Sequence, residues 1–367
     1  MIFLFPFQVP NSDDLKTKMF LSNKFTHNIP SSVFYGATFF ENFIAYSSQE
    51  EGLVVRNLNT NQKYYQQVAP KSTLFQHVEL TKNHLIYLHD QKIHIHHYHS
   101  NTECFDNKIK TISIPFQYSF CENVSPYISN LSVHDNYLAY CIDFQYRVLF
   151  KIIDLETLTE VYNFEIQKIA QFDFHYDVME RPLIKIYGEQ VLCSTGTSIC
   201  YLYDIKNKRK IRMYDFENDI IRLFFDNDLI GAITEVEHGC FQITHINRQD
   251  DFGCTITKNI DSISDFYSIF MFRDFIVYKD KNCQLKCLYT KNNKEFLLVR
   301  NLKETKNTVI SFYNDTMLLF DKGTIMIFDI LKKKDVILPL FKGSIQNVFG
   351  TVHENIDVKR YIFEYLY

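Results

Sequence analysis

The sequence has no Trp, and only 10 Gly and 8 Pro among its 367 residues. So little Gly excludes collagen-like chains and Gly-rich linkers. A composition that is 46% hydrophobic and 22% charged excludes intrinsic disorder. No window approaches ~18 uninterrupted apolar residues, so no membrane insertion is expected. Neither sign of charge dominates: 39 basic against 43 acidic residues leave a net charge of −4, too little to recruit nucleic acid or an anionic membrane by its global field. Gly-x-Gly-x-x-Gly, the Walker loop, Gly-x-Ser-x-Gly and His-Glu-x-x-His are all missing, and each of those chemistries depends on its own backbone geometry.

The nine Cys include no Cys-x-x-Cys pair. Most sit in apolar runs, as in Leu192-Cys193 and Ile199-Cys200-Tyr201, where a free thiol behaves as a small hydrophobe. An odd number so placed fits a reducing compartment. The apolar stretch Met1–Pro10 lacks a basic region, is broken by Pro6 and precedes no small-residue cleavage site, so it does not read as a signal peptide. An intracellular protein, cytoplasmic or nuclear, is expected. What the chain has in abundance is aromatic: 34 Phe and 24 Tyr. A large core and an AT-rich coding sequence both account for that excess.

One short unit recurs seven times, an Asn, Asp, Glu or Gly turn followed by an apolar strand. It is seen in Glu41-Asn42-Phe43-Ile44, Asn83-His84-Leu85, Asp135-Asn136-Tyr137-Leu138 and Gly188-Glu189-Gln190-Val191. It recurs in Asp226-Asn227-Asp228-Leu229, Arg273-Asp274-Phe275-Ile276 and Asn314-Asp315-Thr316-Met317. Such residues tolerate a tight reversal. One apolar strand precedes each unit; another follows, then a polar turn and a last strand. The third strands align on Asn57, His97, Asp154, Asp204, His245, Leu288 and Asp329, with spacings of 40, 57, 50, 41, 43 and 41 residues. A period near 40 with four short strands is that of a β-propeller. Sheets apolar on both faces must bury one another around an axis, and seven similarly phased units argue against a β-sandwich or two smaller β domains. The predicted fold is all-β: a seven-bladed propeller over 33–342, an N-terminal extension over 1–32 and a C-terminal tail over 343–367. The tail reads equally as a short helix capped by Asp357 or as a strand. One of the two ends is expected to close the ring.

Ile153-Asp154-Leu155-Glu156-Thr157-Leu158, Tyr203-Asp204-Ile205-Lys206 and Phe328-Asp329-Ile330 resemble the end of the third strand in WD-repeat propellers, with its turn. The resemblance covers about residues 33–342. It lacks the Trp of the Trp-Asp pair and the Gly-His pair, and keeps Asp at three of the seven anchors. It implies a protein-binding scaffold rather than an enzyme.

Two long spacings mark insertions near Pro115–Pro126 and Gln167–Pro182. Each carries aromatics at alternate positions: Phe116, Tyr118 and Phe120, then Phe172, Phe174 and Tyr176. Loops on a rigid scaffold commonly bind, and aromatics dominate hot spots, so these six residues are candidates for one partner-binding patch. Folding back onto the core is the alternative. A second candidate is a basic rim of Lys206, Lys208, Arg209, Lys210, Lys332, Lys333 and Lys334, partly offset by Asp226, Asp228, Asp274 and Asp315 on the same face.

The His-rich segment His89–His99 puts His94 and His96 on one strand face and Ile93, Ile95 and His97 on the other. Without a third ligand it reads as an outward face of the second blade, and no metal and no cofactor are expected. Together these features point to a non-catalytic interaction scaffold, a subunit of a larger assembly with protein partners. A hydrolase- or lactonase-type propeller with a central-channel site is the alternative, although the first strands Leu183–Tyr187 and Ile221–Phe225 offer few inward carboxylates or His. A nucleic-acid-associated subunit using the Lys-rich turns is the third reading.

Overall fold

A computed structural model describes residues 20–331, leaving out 29–33, 49, 68–75, 100–103, 106–108, 115–125, 145, 169–180, 228, 238–239, 248–254, 261–268, 273–274, 281, 290–293, 300–308, 314–315 and 322–323. The described residues form 29 strands in seven antiparallel sheets. Among them no helix is long and apolar enough to cross a membrane.

The first strand, β1 (Phe20–Asn28), belongs to the last sheet. Blade 1 follows as β2 (Phe34–Phe40), β3 (Phe43–Ser48), β4 (Gly52–Asn57) and β5 (Lys63–Gln67). Blade 2 contains β6 (Gln76–Leu80), β7 (His84–His89) and β8 (Lys92–His99), with β9 (Cys104–Phe105) and β10 (Lys110–Ser113) both pairing with β8. Blade 3 is β11 (Tyr127–His134), β12 (Tyr137–Asp143), β13 (Arg147–Asp154) and β14 (Thr159–Gln167). Blade 4 is β15 (Leu183–Tyr187), β16 (Gln190–Ser194), β17 (Ile199–Asp204) and β18 (Arg209–Asp215). Blade 5 is β19 (Ile220–Phe225), β20 (Leu229–Glu237), β21 (Cys240–Asn247) and β22 (Thr255–Ile260); blade 6 is β23 (Ile269–Phe272), β24 (Phe275–Lys279), β25 (Leu285–Tyr289) and β26 (Lys294–Val299). Blade 7 takes β27 (Val309–Tyr313), β28 (Thr316–Asp321) and β29 (Thr324–Leu331) from the end of the chain and β1 from its beginning, in the order β1-β29-β28-β27.

Hydrophobic burial closes the ring. Each blade interface is filled by one apolar cluster, from Leu53, Val55 and Leu85 between blades 1 and 2 to Leu318, Ile325 and Ile327 packed against Phe39 and Ile44 between blades 7 and 1. Neighbouring sheets approach along their first strands: β2 meets β6 and β27, and β15 meets β11 and β19. The first strands therefore line the axis, and the fourth strands form the outer wall. Cys141, Cys193, Cys200 and Cys287 are free and buried in these interfaces.

The recurring turns show why Asp and Asn mark the third strand. The Asp154 carboxylate accepts from the N–H groups of Glu156 and Thr157 at 2.9 and 2.8 Å. Asn57 does the same for Asn59 and Thr60, and Asp204 for Asn207. The next residue, Leu58, Leu155 or Ile205, is buried and donates its N–H to the carbonyl of Asn42, Asn136 or Glu189, one residue before the second strand. Four residues after the anchor the chain turns through positive φ, at Asn61, Leu158 and Lys208. The anchor thus ties the outer hairpin to the inner one.

Two of the expected anchors are out of phase. The first residue of each second strand pairs with Asn57, His97, Asp154, Asp204, Asn247, Tyr289 and Asp329. His245 therefore sits two positions early and Leu288 one. The two-residue slip leaves His245 on the expected face. The one-residue slip reverses Leu288, which is buried in the interface with blade 5 instead of marking the turn.

Candidate functional site

The aromatic candidates Phe116, Tyr118, Phe120, Phe172, Phe174 and Tyr176 lie outside the described residues, as do Lys332, Lys333 and Lys334. The strands flanking the two insertions are described. One insertion joins β10 to β11 and the other β14 to β15, so each links the outer strand of one blade to the inner strand of the next.

Lys206, Lys208, Arg209 and Lys210 are all described and all exposed, on the turn between β17 and β18 and at the start of β18. Arg212 adds a fifth cation. β18 is the outer strand of its sheet, and six of its seven residues are exposed. The two apolar ones, Ile211 and Met213, are 44% and 53% exposed. The outer strand β14 differs: Phe164 stacks between Phe150 and Tyr203, joining blade 3 to blade 4. On β18 the aromatic faces near the cations are already covered, with Lys210 Nζ 5.2 Å over the Tyr201 ring and Arg212 Cζ 5.6 Å over that of Tyr214.

The histidine segment is not the outward face expected of it. His96 is buried between blades 1 and 2; its Nε2 lies 3.3 Å from the Tyr65 hydroxyl and 3.2 Å from that of Tyr87. Both hydroxyls donate to Gln67 Oε1, at 2.7 and 2.6 Å. With both hydroxyl protons given to Gln67, the Nε2 that faces their oxygens acts as a donor. His94 stacks on Tyr87, while His97 is exposed and edge-on to His84. The alternation of faces was read correctly, but a blade packs on both faces, so the polar face is a packed interface.

The axis carries charges that the sequence reading passed over. In every blade the third residue of the second strand pairs with one residue of the first, which defines a common level around the channel. That level has Thr38, Glu79, Ser132 and Lys185 on blades 1 to 4, Phe224 and Phe270 on blades 5 and 6, and Ser311 on blade 7. Two pairs along, Asn130 on blade 3 and Arg222 on blade 5 share the neighbouring level, each beside a bulge. Glu79 alternates with Val78 and Leu80, which are buried against blade 1. Lys185 alternates with Ile184 and Ile186, buried against blade 3. Both charged residues are thereby turned off the faces that pack on the preceding blades.

Glu79, Lys185, His77 and Arg222 are half-buried, yet for the first three desolvation is the leading influence on titration. Groups surrounded by protein that keep some solvent contact are what a narrow channel wall provides. Burial pushes the Glu79 carboxyl up against the attraction of Lys185, and pushes the Lys185 ammonium down with help from Arg222. His77 is held down to about 4 by burial and then by Lys185, while it hydrogen-bonds the backbone of Ser129. It is uncharged at neutral pH. Arg222 is held by cation–π contact with Phe224 and Phe270 and donates to the Ile269 carbonyl at 2.7 Å.

No protein-family model and no curated protein matches the sequence. Among solved structures the chain is similar to the computationally designed Ika8 protein, at 10% identity and a TM-score of 0.50, over 83% of this chain and 98% of that one. At that identity the likeness speaks for the propeller fold alone.

Proposed function

We propose that the protein is a non-catalytic scaffold that docks another protein within a larger assembly, and that its blades are divergent WD-type repeats. The turn anchored by Asp154, Asp204 and Asn57 supports the repeat assignment, because it ties the outer hairpin to the inner one through the residue type that the WD pattern places there. The observation that carries the docking role is β18. Ile211 and Met213 stand exposed among Lys206, Lys208, Arg209, Lys210 and Arg212 on an outer strand. An exposed strand edge is normally protected by charge, and here five cations surround the apolar side chains, with the exposed Asp215 only at the strand's end. The complement of such an edge is an acidic, partly apolar segment of another protein. Covered aromatic faces suit that reading better than single-stranded nucleic acid, which needs open rings for base stacking.

A photo-crosslinking residue at Met213 tests this in extract of the native cell, with Asn163 on β14 as the control because both occupy the same register position. Met213 is expected to give a discrete protein adduct that falls at least about tenfold in Lys210→Glu with Arg212→Glu, since charged contacts are worth roughly 1.5–3 kcal/mol each. Equal labelling from both positions, or adducts to nucleic acid only, would refute it.

A further inference from the structure

We propose that the channel wall formed by blades 2 to 5 is a binding site for a small hydroxy acid, its carboxylate drawn to Lys185 beside Arg222 and its hydroxyl donated to Asn130. The inference is independent of the docking role of β18.

Register carries the first part. Glu79, Ser132 and Lys185 occupy one level of three successive blades, and Asn130 and Arg222 the neighbouring level. The groups are thus gathered on one arc of the channel although they are far apart in sequence. The charges within electrostatic reach of Lys185 are Glu79 and Arg222, and those near His77 are Lys185 and Arg181. With His77 neutral, Lys185 and Arg222 are two cations to the one Glu79 carboxyl in this group, so the arc is electropositive around Lys185. Lys185 forms no ion pair there among the described residues and is left with a long-range counter-charge only. Even a half-buried ammonium gains from a close partner, and an incoming carboxylate supplies one.

Asn130 carries the second part. It lies two residues from Ser132 on the same face of β11, and its buried side-chain oxygen has no hydrogen-bond partner. Buried acceptors left unsatisfied are rare in native structures. The Ser132 hydroxyl accepts from the Ile186 N–H at 3.3 Å and makes no hydrogen bond to the Asn130 oxygen. A ligand hydroxyl satisfies the Asn130 oxygen. The Arg222 guanidinium is held in place by its bond to the Ile269 carbonyl and by the Phe224 and Phe270 rings, as a fixed positive charge; the Glu79 carboxyl nearby disfavours a dianionic phosphate.

The probes are L-malate, succinate as its analogue without the hydroxyl, and inorganic phosphate, followed by calorimetry on the full chain. Malate is expected to bind more tightly than succinate or phosphate. Lys185→Met should weaken malate about ten- to a hundredfold, the range for a charged hydrogen bond. Asn130→Ala should abolish the preference for malate over succinate while leaving succinate unchanged. Glu79→Gln, a near-isosteric change that tests the site even where Lys185→Met fails to fold, should bind malate at least as tightly as the parent. Binding should also take up protons, because an anion raises the affinity of both Lys185 and Glu79 for a proton, so affinity falls as pH rises. No binding of malate by the parent, equal binding in Lys185→Met, phosphate preferred over malate, or looser binding in Glu79→Gln each overturns the proposal.

Discussion

A chain beginning at residue 29 is expected to melt at least about 5 °C below one beginning at residue 20, and to aggregate as it does so. The two differ by β1, which pairs with β29 from Phe20↔Leu331 to Asn28↔Thr324. Every other blade is built from consecutive strands, so its sheet is complete wherever the ring opens. Blade 7 alone joins the two ends of the fold. Without β1 its outer edge becomes β29, whose Ile325 and Ile327 are fully buried against blade 1. A long apolar strand with unpaired N–H and C=O groups invites edge-to-edge association. In a domain of this size about 1 kcal/mol moves the melting temperature by roughly 2–4 °C or less, so the expected shift requires β1 to be worth at least about 1–3 kcal/mol. A synthetic peptide of residues 20–28 added in trans should recover part of the loss. Melting temperatures within about 1 °C of each other would show that blade 7 does not depend on this strand.

The blades were legible in the sequence because their determinants are local. A turn that needs positive φ at Glu41, Asp135 or Gly188 is written in adjacent residues, and so is the Asx cap at Asp154. Phase was lost where that cap is missing. In blade 6 Tyr289 holds the anchor position, and a Tyr gives no reason to prefer it over Leu288. In blade 5 the polar pair His245 and Asn247 offered two registers of the same parity. The channel was illegible for a different reason. Lys185 alone in Leu183–Tyr187, or Arg222 alone in Ile220–Phe225, reads as a long side chain reaching out of an apolar strand. Only the pairing register of three separate blades brings Lys185 level with Glu79, and bulges at His77 and next to Arg222 shift the count in ways that no periodicity announces. The aromatic insertions were found by length, but what their rings touch lies outside the described residues.

The base of the second insertion supplies the other large effect. Replacing Lys168 with Met should destabilise the protein by about 3–5 kcal/mol, the cost of stranding a buried charge. Asp143, at the end of β12, has a side chain only 4% exposed, and Lys168 Nζ lies 2.9 Å from its Oδ2. The Tyr127 hydroxyl donates to the same oxygen at 3.1 Å. That hydroxyl is pushed up to about 12 by burial and by Asp143, so it stays a donor across the neutral range. Lys168 also donates its backbone N–H to the Tyr146 carbonyl at 2.8 Å, so the segment entering the insertion is fixed at both backbone and side chain. Methionine keeps the apolar stem and removes only the charge, so Asp143 loses the Lys168 ion pair and keeps the Tyr127 donor. The amide of Asp143→Asn needs no counter-ion, so the double variant should recover most of the loss, and urea unfolding of the four proteins gives the coupling directly. A Lys168→Met protein within about 1 kcal/mol of the parent would mean that water reaches Asp143 and that the pair behaves as a surface ion pair. If the loss is as large as expected, the end of blade 3 at Lys168, from which the chain enters the second insertion, is a rigid post.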